Sequence, residues 1–300
     1  MTKTIAKHID DFLNHKTDMG NGSIKTHEAY SHDLIMQFLP FLTGLKKTTL
    51  SQITQQDVEA FLIDVKKKSR TGSVANMRRK LYAIKSFFEY AQKRGFLERN
   101  VASDIKPPKS HTKTISYLTD EEKELLLVTV EAVATPFYKL RDLATLKLFL
   151  ATGMRVSELT NLRLKDLEFH TKQTSFIKVK RKGGNEVRLP IKSNVVYAIK
   201  TYLAKRDNTG LQDFVFLSKN SKQMEANSVY HLVKHYLQAA GIEKNKWGPH
   251  ILRHTVGVSL RRQGIDIATI QHLLGHTKLE TTAIYLNVEA QDLERAVQLL

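Results

Sequence analysis

A proline pair inside a polar, basic run, Lys106-Pro107-Pro108-Lys109-Ser110-His111-Thr112-Lys113-Thr114, most limits how this chain can fold. Proline lacks the amide hydrogen that a helix interior needs, and its ring collides with the preceding turn, so no helix runs through it. The run divides 300 residues into two stretches, each long enough for its own core at roughly 100–200 residues per domain. The expected organisation is a domain over 1–105, a linker over 106–117 and a second domain over 118–300.

The first stretch reads as helical. Apolar residues recur at three- and four-residue spacing in Tyr30 to Leu45, Val58 to Val65 and Leu81 to Phe88, and strand alternation is missing. Thr54 ahead of Gln55-Gln56-Asp57 reads as a helix start, and Gly95 as the close of the helix carrying Phe87, Phe88 and Tyr90. About four helices are expected there. In the second stretch a helix opens at Thr119, with Asp120, Glu121 and Glu122 in its first turn where carboxylates meet the positive helix end. Three β-prone runs follow, Leu167 to His170, Ser175 to Val179 and Val187 to Ile191, with Thr171-Lys172-Gln173 and Lys182-Gly183-Gly184-Asn185 as turns between them. These imply a small antiparallel sheet. After Pro190 the pattern is helical again, punctuated by Gly241, Gly248, Gly264 and Gly275. The fold class is therefore mainly α, with a mixed α+β second domain.

Charge narrows the partner. The formal net charge is +17, which points to a polyanion such as nucleic acid, although a membrane-surface binder would show the same balance. Residues 1–108 hold 18 Lys and Arg against 11 Asp and Glu, and residues 109–300 hold 29 against 19, so both halves carry the excess. The absence of cysteine excludes disulfides, thiol catalysis and cysteine-ligated zinc. The N-terminal Met-Thr-Lys-Thr-Ile-Ala-Lys has no apolar signal core, and no run of about 18 apolar residues could span a bilayer. A soluble cytoplasmic protein with no membrane partner is expected.

Six residues of the second half carry chemistry: Arg155, Lys182, His250, Arg253, His276 and Tyr285. Two arginines, a lysine and two histidines can hold a phosphodiester and its pentavalent transition state without metal, and a tyrosine can serve as nucleophile. Arginine's planar fork donates two parallel hydrogen bonds to nonbridging oxygens, whereas lysine offers a compact charge and a proton. Arg155 and Arg253 would form the clamp; the alternative for Arg155 is a surface arginine paired with Glu158 one turn on. His250 and Arg253 are three apart, so on a helix they share a face. His276 could instead merely cap a helix running from Asp266 to Leu274, and Tyr285 could be a core aromatic. The pairs His250/His254 and His231/His235 have zinc-compatible spacing, but no third ligand or His-Glu-x-x-His accompanies them, so no metal is expected. Nucleotide-binding glycine loops are absent too, and no cofactor is expected.

The wording around these residues is Ala151-Thr152-Gly153-Met154-Arg155-Val156-Ser157-Glu158-Leu159, His250-Ile251-Leu252-Arg253-His254-Thr255, and Leu273-Leu274-Gly275-His276 with Tyr285 nine residues later. It resembles the tyrosine recombinase, or phage integrase, family, and within it the Xer-type enzymes. The resemblance implies a SAM-like helical core-binding domain followed by a catalytic domain, together clamping duplex DNA. It implies a 3′-phosphotyrosyl intermediate on Tyr285, Glu158 orienting the clamp, and a lysine in the β-turn protonating the departing 5′ oxygen. Lys182 fits that lysine because Gly183 follows it and Pro190 lies at the matching distance, although Arg181 stands where the family often has glycine and Lys180 is a neighbouring candidate. Ser73 to Leu81 with Lys85 resembles the family's DNA-contacting helix, which marks Arg78, Arg79 and Lys85; a solvated basic face is the alternative. Implied partners are inverted-repeat DNA sites and a homotetramer on two synapsed sites, or a heterotetramer with a related recombinase, passing through a Holliday junction. The terminal segment with Val288, Leu293, Ala296, Val297 and Leu300 on one face resembles the tail that such protomers donate to a neighbour; docking on its own domain is the other possibility. A type IB topoisomerase-like nicking-closing enzyme and a catalytically inactive DNA-binding accessory protein are the rival readings.

Overall fold

The computed structural model describes residues 4–18, 24–68, 74–108, 115–181, 184–206, 213–245, 247–276 and 280–286. The chain forms two compact units, Met1–Lys113 and Thr114–Leu300. Lys182 and the segment after Leu286 lie outside the described residues.

The first unit contains α1 (Ile5–Asp18), α2 (Ile24–Asp33), α3 (Leu39–Gly44), α4 (Gln55–Lys68) and α5 (Val74–Lys93). The run from Tyr30 to Leu45, read as one helix, is interrupted by a π-helical stretch, Leu34–Phe38. Pro40 sits in the first turn of α3; its missing amide hydrogen leaves the carbonyl four residues earlier without its usual donor, and the ladder widens there. Thr54 starts α4 as expected: its amide donates to Asp57 Oδ2 at 2.8 Å while its hydroxyl accepts from the Asp57 amide at 3.3 Å. Gly95, at φ +74°, ends α5, and the amide of Phe96 returns to the Ala91 carbonyl at 2.9 Å. The core is aromatic, with Phe38 edge-on to Phe61 at 5.1 Å and Phe12 edge-on to Phe87 at 5.7 Å. A charged pair lies inside it. Lys80 donates to Asp33 at 2.8 Å with both side chains almost wholly buried, and Arg79 bonds the other carboxylate oxygen.

The second unit opens with α6 (Asp120–Val133), where Thr119 and Glu122 form a reciprocal capping box. Next come α7 (Pro136–Thr152), α8 (Val156–Thr160), the strands β1 (Leu167–Glu168), β2 (Ser175–Lys180) and β3 (Glu186–Ile191), then α9 (Ser193–Lys205), α10 (Ala226–Ala239), α11 (Pro249–Arg262), α12 (Ile267–Leu274) and α13 (Glu280–Ala283). The sheet is antiparallel in the order β1-β2-β3. β1 is shorter than the run from Leu167 to His170 because the His170 amide turns to the Ser175 hydroxyl at 2.9 Å instead of joining the ladder. β2 pairs with β3 from Ser175 opposite Ile191 to Lys180 opposite Glu186. The core of this unit packs Leu146, Phe149, Leu159, Ile177, Ile199, Val233 and Leu252. No helix among the described residues is long and apolar enough to cross a membrane.

Candidate active site

The site assembles around the C-terminal end of α12. A helix leaves its last carbonyls without intrahelical donors, and those carbonyls form the negative end of its dipole. Here the carbonyls of His272, Leu273, Leu274 and Gly275 are each met by a guanidinium. Arg181 takes the first two, at 2.6 Å to His272 and in a short contact to Leu273. Arg253 donates to Leu274 at 2.5 Å and Arg155 to Gly275. Gly275 turns the chain in the left-handed region, at φ +65°, a conformation that costs glycine nothing.

The wording around Arg155 has a local cause. Gly153 ends α7 at φ +60°, a backbone conformation that strains any side chain, and a Cβ there would also lie 2.6 Å from Leu274 Cδ2 and 3.2 Å from Val256 Cβ. Its carbonyl accepts from Arg253 at 2.7 Å. Two residues on, Arg155 stands at the N-cap of α8, where Glu158 binds it twice: Oε2 accepts from its amide at 2.7 Å and Oε1 from its guanidinium at 2.8 Å. The ion pair with Glu158 and the site position therefore coexist. Glu158 is buried.

Tyr285 lies 5% exposed in a small cluster with Val256, Ile270 and Leu274. Its ring covers Gly257, where a Cβ would come within 2.4 Å of the phenol Cζ. The hydroxyl is 3.0 Å from Nδ1 of His254. Burial pushes the phenol up to about 12, against the opposing pull of Arg253. His276 stacks on the same ring at 6.4 Å between centroids, and its Nδ1 lies 2.8 Å from the hydroxyl of buried Thr282. Its pKa is driven down to about 4, by burial first and then by Arg253 and Arg155, so the imidazole is neutral at pH 7. Arg253 itself is brought down to about 10, chiefly by burial.

Of the residues singled out from sequence, Arg155, Glu158, Arg253, His276 and Tyr285 come together here. His250 lies in the first turn of α11, exposed, one turn before Arg253. Two members of the cluster were not assigned to it from sequence. In the sequence His254 stands in the phrase around Arg253 and at zinc-like spacing from His250, and Arg181 stands beside Lys182 as a departure from the family pattern and, with Lys180, a substitute candidate for the acid. The partners that place them in the cluster are 31 and 91 residues away. In the first unit, Arg78 donates to the Pro108 carbonyl at 3.5 Å, Arg79 to Asp33 and to Asn76 at 3.2 Å, and Lys85 to the Ser103 carbonyl at 2.8 Å. Among the described residues no group of three His, Asp or Glu side chains is arranged to hold a metal ion.

Residues 116–292 match the phage integrase family, and residues 9–95 match the N-terminal SAM-like domain of phage integrases. The chain is 31% identical over 310 residues to the tyrosine recombinase XerC of Caldanaerobacter subterraneus, covering 96% of this chain and 85% of that protein. Among solved structures it resembles the XerH site-specific recombinase bound to palindromic difH substrate in a post-cleavage complex, with TM-score 0.79 and 23% identity over 92% of this chain and 80% of that one. A lambda integrase tetramer bound to a Holliday junction shares the fold at TM-score 0.65 and 17% identity, over 96% of this chain and 79% of that one.

Proposed function

This chain belongs to the phage integrase family, and from that membership we propose a role for each residue gathered at the end of α12. It is a tyrosine recombinase, an enzyme of site-specific DNA recombination. Tyr285 is the nucleophile: its phenol gives up its proton to the imidazole of His254, whose Nδ1 is 3.0 Å from the hydroxyl, its oxygen attacks the phosphorus and the bond from phosphorus to the 5′ oxygen breaks. The 3′ end remains as a phosphotyrosyl ester, and Lys182 gives its proton to the leaving 5′ oxygen. Arg155 and Arg253 hold the nonbridging oxygens as their charge grows, with His250 and neutral His276 adding hydrogen bonds. Fixed donors of this kind are worth roughly 10²–10³ in rate each. Attack by a 5′ hydroxyl from the partner strand reverses the step, so one ester replaces another and no external energy is needed.

The observation that carries this reading is the convergence of Arg155, Arg253, His276 and Tyr285 on one helix end, with Glu158 anchoring the first arginine. Tyr285 is buried and bonded to His254, so attack requires the phenol to leave that pocket when DNA enters. The partners proposed are duplex DNA carrying inverted-repeat sites and four protomers on two synapsed sites, with a related recombinase able to supply two of the four. Tyr285→Phe tests the core of the proposal, because it removes only the nucleophilic oxygen. On a site nicked beside the scissile phosphate the variant should form no covalent adduct while its gel-shift affinity stays within about twofold, a difference under about 0.5 kcal/mol. Wild-type cleavage should persist in EDTA. An adduct that survives in Tyr285→Phe would sink the assignment.

A further inference from the structure

Arg181 is the third guanidinium at the end of α12, and the motifs give it no task. Its backbone closes the turn between β2 and β3. The Arg181 amide donates to the Asn185 carbonyl at 2.8 Å, and the Gly184 amide donates back to the Arg181 carbonyl at 3.1 Å. Its side chain reaches across the site to the carbonyls of His272 and Leu273. The guanidinium lies flat over Gly275, where a Cβ would come within 2.6 Å of Cζ. Its Nε is buried with no hydrogen-bond partner among the described residues. Burial, the largest influence on it, lowers its pKa. The site therefore accepts the cost of desolvating part of a charged group in order to make this crossing.

We infer that Arg181 is a positioning residue: it fastens the turn that carries Lys182 to the C-terminal end of α12, so the acid keeps a fixed place relative to the Arg155 and Arg253 clamp. The inference rests on the assignment of Lys182 as the acid. Lys182 follows Arg181 directly in the chain. It is followed by Gly183 and Gly184, and glycine loses more conformational freedom on ordering than any other residue. Two glycines in succession carry no side chain that could brace the lysine before them. A planar fork that donates two hydrogen bonds to consecutive carbonyls fixes both distance and angle, which a lysine at 181 could not do. The carbonyls it grips belong to the same helix end that Arg155 and Arg253 grip, so turn and clamp share one reference.

Single-turnover cleavage of two substrates separates this role from others. One carries the ordinary 5′ bridging oxygen, the other sulfur, whose thiolate leaves without help from an acid. Arg181→Met should be slower by ~10²-fold on the oxygen substrate and within ~3-fold of wild type on the sulfur substrate, the size of loss expected from a misplaced catalytic group. Combining it with Lys182→Ala should slow the oxygen substrate no further than Lys182→Ala alone, because the two act through one step. Site binding by gel shift checks that the variant is folded; if Arg181→Met fails that check, Arg181→Lys is read by the same ratio. Equal losses on both substrates would mean that Arg181 contacts the phosphate or merely supports the fold, and would overturn the inference, as would no loss on either. If Lys182→Ala forms the tyrosyl adduct with no difference between oxygen and sulfur, the acid lies elsewhere and this inference falls, while the phosphotyrosine reading stands.

Discussion

Tyr285 and His276 share a stacked pair yet are shifted in opposite senses, and one cause serves both. Partial burial penalises whichever form is charged, the phenolate of tyrosine and the imidazolium of histidine. The phenol is therefore held protonated to about 12 and the imidazole neutral down to about 4. Both signs can be tested in the DNA-free protein. The folded-state value of His276 lies below the ordinary 6.5, so its contribution to stability is complete above 6.5 and is lost as pH falls toward about 4. The value for Tyr285 lies above the ordinary 10, so its contribution is complete below 10 and is lost as pH rises toward about 12. The ring-proton NMR signal of His276, assigned with His276→Gln, should titrate near 4; a midpoint near 6.5 would mean that the ring is solvated. Arg155, Arg253, His276 and Tyr285 were legible in the sequence because each sits in a local phrase whose glycines and spacing serve a nearby backbone need, such as Gly153 against Leu274. His254 and Arg181 were not legible, since each acquires its meaning only from a contact far away in the chain.

At the scale of elements, helix and sheet periodicity foretold the sheet and most helices, and missed where a specific hydrogen bond overrides periodicity. Pro40 splits one apolar stripe into helix, π stretch and helix, and Ser175 shortens β1 by capturing the His170 amide. The buried charges of α2 and α5 were hidden for a related reason. Lys80 sits at a position of α5 that packs inward beside Leu81 and Ile84, and its acceptable burial depends on Asp33 from another helix. A lysine in such a place becomes expensive once its partner is gone. Removing one member of a buried ion pair costs about 3–5 kcal/mol, because the other charge is left unpaired. Asp33→Ala should therefore destabilise the first unit by that order in urea denaturation, and far more than Asp57→Ala, whose carboxylate lies on an exposed helix cap. A loss under about 1 kcal/mol, the range of a surface pair, would show that Lys80 escapes to solvent.

The whole molecule carries its positive charge on both units, 18 Lys and Arg against 11 acids in residues 1–108 and 29 against 19 beyond, so binding to a polyelectrolyte should draw on both. Affinity for duplex DNA falls with salt because each neutralised phosphate releases condensed counterions, and the slope of log K against log salt counts those contacts at about 0.9 each for B-DNA. One of the first unit's candidates is already engaged with a buried carboxylate. Arg79 shares Asp33 with Lys80, so much of its charge is committed within the fold; Arg78 donates to the Pro108 carbonyl at 3.5 Å. Arg78→Ala should thus lower the slope by about 0.9, and adding Arg79→Ala should lower it by less than a second full step. Binding measured across a salt series with the intact protein and a single half-site reads both increments. Equal steps would mean that Arg79 leaves Asp33 for the phosphate when DNA arrives. An unchanged slope in the double variant would mean that α5 meets solvent, not DNA, and that the first unit contributes its charge through another face.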